Sequence, residues 1–246
     1  MTILTFLAGG TAYLMPGIFT YVVNTKLAAQ WEERGIVYDR EGWKAYLPAL
    51  VGWGALFVMW YVHGTTLSWE SIPFGLLAAM SVVAARTDAA CRLIPWEIGI
   101  FTGLFGMVVT IPAVLFSSDP TAGWFSVAFA FFGLVVLPIV ARAITKGLGA
   151  GDIRLLWAFT GCVAWWVGPV YLLYGIILAC IGQVAVHANA RIKDTGEKVP
   201  HPKNPEKFRR FVAFGPMLLA GLWAMVLYSL ITGTGTCEVW SVTGAC

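Results

Sequence analysis

Two aspartates, Asp88 and Asp152, stand at the edges of long apolar runs in this chain of 246 residues. A carboxylate in that setting is costly unless it caps a helix, pairs with another group or does chemistry. Asp152 lies in KGLGAGDIRLL, residues 146–156, at the start of an apolar run, and Asp88 opens the segment Asp88-Ala-Ala-Cys-Arg-Leu-Ile-Pro95 after another. Two carboxylates in one site do not readily both ionise, and a pair sharing one proton activates water and protonates a scissile carbonyl in aspartic proteases. Gly149 and Gly151 flank Ala150 and lack a Cβ, so they are expected to admit a close backbone and to take positive φ, letting a substrate strand pass beside Asp152. Plainer readings stand next to these. A Gly-rich turn, an Asp and an apolar run make an ordinary helix start, and on spacing alone the cap is the favoured reading of Asp152. For Asp88 the plain alternative is a loop acid paired with Arg86 or Arg92.

The elements that must position these acids are membrane helices. With 59% hydrophobic and 12% charged residues the chain is outside the range of a soluble domain, and an all-α polytopic membrane protein is expected. Residues 1–25 carry no charge and lack the positive start of a cleaved signal, so they read as a retained spanning helix that Pro16 kinks. Residues 26–44 form a loop with four basic and four acidic residues, and 45–69 are apolar again. An apolar run over 71–85 makes a third helix, which ends in Arg86, Thr87 and Asp88; Leu93-Ile94-Pro95 opens a fourth, which fades by Ser118, and a fifth covers about 124–141. From 155 to 190 there are 36 residues without a formal charge, about 54 Å as one helix, far beyond a core of roughly 30 Å. That stretch must fold back, and Gly168-Pro169 after Trp165-Trp166 is the break. Residues 191–210 are a basic, Pro-rich loop, and 211–231 are the eighth helix.

This count of eight brings all 16 Lys and Arg to one side, leaving only Glu70, Asp119 and Glu238 as formal charges on the other. By the positive-inside rule both termini are expected outside and both aspartates at the cytoplasmic face. From the outer turn near Trp166, the roughly 15 residues back to Asp152 span about 23 Å, so Asp152 is expected a few Å inside the boundary. The chain reads as a single integral membrane domain: 1–70 two helices and a cytoplasmic loop, 71–232 the core with both acids, 233–246 an external tail.

Three segments, in order, resemble those of the prepilin peptidases, membrane aspartic proteases with a GxGD motif: Asp88 with Ile94-Pro95, Gly149-Ala-Gly-Asp152 followed by Arg154, and Phe214-Gly215-Pro216. The resemblance covers about residues 71–222. It implies an aspartyl endopeptidase with catalytic Asp88 and Asp152, removing short basic leaders from prepilin- or pseudopilin-like proteins of pilus or secretion systems. Gly149, Gly151, Pro95, Phe214, Gly215 and Pro216 would support or line its groove. Many members carry a cysteine-rich zinc segment after the first helix and also N-methylate the product; residues 26–44 hold no cysteine, so methyl transfer is not expected. Trp96 stands where the family usually has Asn, and Arg154 where Lys is common.

The remaining features point elsewhere less strongly. The five cysteines form no CxxC pair and His63, His187 and His201 lie on separate segments, so no metal or cofactor is expected, and no nucleic-acid partner either. A GxSG motif with a helix-borne His is missing, which argues against a rhomboid-type serine protease. Glu97 reads as a solvated acid or a partner of Arg92, Cys237 and Cys246 as a permitted external disulfide, and Cys91, Cys162 and Cys180 as buried or incidental thiols. A transporter or channel, or a non-catalytic part of a pilus apparatus, is the competing class; transporters often show repeated halves, and none is visible here.

Overall fold

The computed structural model describes residues 3–36, 38–63, 71–115, 120–145, 149–192, 197–201, 204–211 and 214–233. The expected outer loops with Glu70 and Asp119, the residues 146–148 ahead of Gly149, and the tail with Cys237 and Cys246 lie outside these. The described residues are predominantly helical. Four helical stretches, Ser71–Cys91, Gly123–Val140, Pro169–Asn189 and Gly215–Thr232, are long and apolar enough to cross a membrane, and Leu47–Val62 and Trp96–Pro112 are shorter apolar helices.

Helix α1, Ile3–Val22, does not stop where charge begins. A single wide turn over Val23–Leu27 carries it into α2, Ala28–Glu33, so the first part of the expected loop is helical. Apolar Val23, Ala28 and Trp31 on its buried side keep the helix packed through the charged stretch. The chain then turns at Gly35, whose φ of 74° suits a residue without Cβ, and reaches α3, Leu47–His63. Helix α4, Ser71–Cys91, runs three residues past its expected end at Asp88 and so keeps Asp88 within its last turn rather than in a loop, the plain alternative. It stops because Arg92 takes a left-handed φ of 58°, with its N–H donating to the Asp88 carbonyl at 2.9 Å.

Helix α5, Trp96–Leu115, starts just past Pro95 as its sequence requires. Helices α6, Pro120–Phe131, and α7, Leu137–Thr145, are joined by a wide turn at Phe132–Val136 into one long helix. The break between α8, Ala150–Val167, and α9, Pro169–Ile192, falls at Gly168 with φ 85°. The basic stretch after α9 is not a plain loop: β1, Glu197–His201, pairs antiparallel with β2, Asn204–Phe211, from Glu197 opposite Phe211 to His201 opposite Asn204. This hairpin is the exception to an all-α chain among the described residues. Helix α10, Gly215–Thr232, begins at the Phe-Gly-Pro segment.

Helix α4 is the centre. Every residue from Ser71 to Ser81 is buried, and α1, α3, α5, α8 and α10 all pack on it. In lipid the hydrophobic effect does not drive helices together, so small residues that let backbones approach take over. Gly52 of α3 shows this: a Cβ there would come 2.6 Å from Pro16 Cβ of α1 and 2.8 Å from the Gly75 carbonyl of α4.

The seam between α5 and α8 is built the same way. Gly99, Gly103 and Gly106 line one face of α5; they meet Arg154, Trp157 and Gly161 of α8. Polar contacts hold the register: Arg154 Nη1 donates to the Ile94 carbonyl at 2.8 Å, Trp157 Nε1 to the Ile100 carbonyl at 3.2 Å, and Thr110 Oγ1 to the Gly161 carbonyl at 2.9 Å. A Cβ on Gly161 would overlap the Gly103 carbonyl. We therefore expect Gly161→Ala to cost about 1–3 kcal/mol by forcing the backbones apart. Unfolding in detergent checks this, and an unchanged midpoint would mean that the seam is not tight.

Candidate functional site

Asp88 is buried, 8% exposed, at the end of α4. The turn that presents it is tied down by local bonds: Thr87 Oγ1 donates to the Val83 carbonyl at 3.0 Å, and Cys91 Sγ to the Thr87 carbonyl at 3.1 Å. Of the two partners that the plain sequence reading offered the Asp88 carboxylate, Arg86 turns to the Asp39 and Lys44 carbonyls, while Arg92 is near enough to act on it electrostatically. Asp88 Oδ2 accepts the N–H of Gly215 at 3.0 Å, across 127 residues of chain. Gly215 is the first residue of α10, where backbone N–H groups have no partner within the helix and the dipole favours a negative charge.

The Phe-Gly-Pro segment thereby acquires a physical meaning. Phe214 precedes the helix, and Pro216 can occupy its second position because an N–H there has no helical partner to lose. Gly215 between them is obligatory for space, since a Cβ would lie 2.6 Å from Asp88 Oδ2. Trp223 keeps α10 against α4, its Nε1 donating to Ser81 Oγ at 2.9 Å while its ring meets Phe74 edge-on at 5.3 Å.

Asp152 sits in the first turn of α8. The helix starts earlier than the plain reading had it, with Gly149 and not Asp152 at the N-cap; Asp152 Oδ2 reaches back from the third helical position to accept the Gly149 N–H at 3.2 Å, which still ties down the helix start. Capping occupies one oxygen of two. Among the described residues Asp88 and Asp152 each use Oδ2 in this way, and each retains Oδ1 for another partner.

The glycines around Asp152 act by closeness and not by positive φ. Gly149 has φ −70° and ψ 147°, an extended conformation, and Gly151 is helical. A Cβ on Gly151 would press on the Ile94 side chain at 3.1 Å, so this glycine lets the start of α8 lie against the Ile94-Pro95 link. With Arg154 bonded to the Ile94 carbonyl, the segments carrying Asp88 and Asp152 are fastened to each other. Helices α4 and α8 are in contact, and the two carboxylates are near enough to interact electrostatically.

Of the residues singled out from sequence, Asp88, Gly215, Asp152, Gly149 and Gly151 are joined by the contacts above, with Pro95 buried beside Ile94. Phe214 and Pro216 serve by starting α10 where it does. The expectation for Glu97 was wrong. It is buried and ion-paired with Arg34, because α2 and its following turn fold back over the start of α5. The spacing of Gly99, Gly103 and Gly106, every three or four residues on one helix face, was a readable sign of the α5–α8 seam that sequence reasoning missed. Among the described residues no three His, Cys, Asp or Glu side chains gather as metal ligands. Cys162 is buried, Cys91 partly so and Cys180 exposed, all three as free thiols. No family model, curated protein or solved structure matches this chain.

Proposed function

We propose that this chain is a membrane-embedded aspartyl endopeptidase of the prepilin peptidase type, cutting leader peptides from prepilin- or pseudopilin-like substrates at the cytoplasmic face of the inner membrane. The observation that carries the reading is the junction of Asp88, near the end of α4, with Gly215, at the start of α10, where both helices also pack against α8, the helix that carries Asp152. Three segments chosen from sequence for their resemblance to one family are neighbours in space, and a random coincidence of short motifs has no reason to converge.

In the proposed reaction one carboxylate takes a proton from water while the other, protonated, donates to the scissile carbonyl oxygen. The water oxygen bonds to the carbonyl carbon, giving a tetrahedral diol. Proton transfer to the peptide nitrogen then lets the C–N bond break, releasing the leader acid and the new amino terminus. Backbone donors at Gly215 and Gly149 hold one oxygen of each carboxylate and aim the other. The purified chain in vesicles, given a single-span substrate with a cytoplasmic leader, is expected to release that leader as a discrete fragment. Intact substrate after prolonged incubation would refute the reading.

The proposed topology has eight spans with both termini outside. Single cysteines introduced at position 33 and at position 119 are expected to react with a membrane-impermeant maleimide from opposite sides. Labelling of both from one side would overturn the span count.

A further inference from the structure

Glu97 stands out among the charged groups that the proposed reaction does not use. Its side chain is 6% exposed in the first turn of α5, two residues after Pro95. One oxygen, Oε1, pairs with the Arg34 guanidinium, and the other, Oε2, is buried with no hydrogen-bond partner among the described residues. A buried carboxylate satisfied at one oxygen only is an expensive arrangement, and it is the kind that a further donor relieves.

Its cation is held differently. The Arg34 side chain is 42% exposed and comes from the turn after α2, steadied by a local bond from its Nε to the Gln30 carbonyl at 3.2 Å. By contrast, Arg86, which also anchors this segment, is only 20% exposed. Arg86 donates to the Asp39 and Lys44 carbonyls and lies 4.9 Å from the centre of the Tyr38 ring. Burial pushes the Tyr38 hydroxyl above its usual pKa, so the ring stays neutral under that cation. The segment therefore keeps its place through Arg86 and Tyr38, and the buried Trp31 against which Tyr38 packs edge-on, when Arg34 swings away.

Glu97 is also close to the site. It interacts electrostatically with Arg154, which bonds the Ile94 carbonyl two residues beyond Asp152. We propose that Glu97 is a recognition acid for a cationic side chain of the substrate, and that Arg34 fills its place while no substrate is bound. An incoming ammonium or guanidinium exchanges with Arg34, so one charge-assisted bond replaces another and only the exposed arginine returns to water. The incoming donor also reaches Oε2. This inference rests on the endopeptidase reading and adds a specificity determinant to it.

The test uses the full chain in detergent micelles with three single-span substrates, identical except for lysine, glutamine or glutamate at one position of the cytoplasmic leader. The wild type is expected to favour the lysine substrate about tenfold in kcat/KM, the scale of one hydrogen bond to a charged group. Glu97→Gln brings that ratio close to one through KM, whereas Arg34→Gln keeps the preference and lowers KM for lysine. The double variant Arg34→Glu with Glu97→Arg restores an ion pair and is expected to favour a glutamate leader instead. A wild-type ratio of one, an equal loss on the lysine and glutamine substrates in Glu97→Gln, an Arg34→Gln variant that also loses the preference, or no inversion in the double variant each overturns the proposal. Failure of the wild type to cut any of the substrates would instead remove the endopeptidase reading, a different and recognisable result.

Discussion

Asp88→Asn and Asp152→Asn are each expected to reduce leader release by a factor on the order of 10²–10⁴, the usual contribution of a positioned proton-transfer group. The substitutions are chosen because they preserve what holds the acids in place. An asparagine carbonyl oxygen at position 88 can still accept the Gly215 N–H, and one at position 152 can still accept the Gly149 N–H and cap α8. Stability is therefore expected to hold while kcat falls, with KM little changed, because the lost function is proton transfer and not binding. Turnover by purified protein, measured beside its unfolding midpoint, separates the two effects. If either variant cleaves at the wild-type rate, the aspartate concerned is a cap and nothing more.

Gly215→Ala is expected to be nearly as damaging although it removes no chemical group. The new Cβ would sit 2.6 Å from Asp88 Oδ2 and 3.0 Å from its Cγ, and neither backbone nor carboxylate at this buried junction can yield freely. Either α10 moves off α4 or the carboxylate rotates away, and a misplacement near 1 Å costs about 10²-fold in rate. Gly54→Ala in α3 is the control, since a Cβ there meets nothing within 4 Å and alanine is the better helix former. An alanine at 215 with full activity would mean that the junction is looser than described.

How much of this was legible from residues alone follows from what kind of force sets each feature. The break at Gly168-Pro169 and the start of α5 after Pro95 depend on backbone chemistry, which is local, and both were placed correctly. The last turn of α4 was not, because charged and polar residues near 86–88 read as a helix end until their partners are known. Arg86 is satisfied by carbonyls 42 and 47 residues away and Asp88 by an N–H 127 residues away, so the helix continues where composition says it ends. The same blindness to distant partners misread α2 as loop and Glu97 as solvated.

For the candidate site, sequence by itself determined the identity of the acids, the glycines beside them and the Phe-Gly-Pro segment, because type and spacing are what a motif records. It also pointed to a membrane, and four helical stretches among the described residues are long and apolar enough to cross one. Only the tertiary structure decided that Gly215 is the donor to Asp88, that Gly149 and Gly151 act through space and not through φ, and that Glu97 is buried and paired with the exposed Arg34. Those facts depend on which helix faces meet. Helix contact in a membrane is chosen by small residues and scattered polar bonds; the glycine spacing on α5 marks a face, but the partners lie far along the chain and nothing local names them.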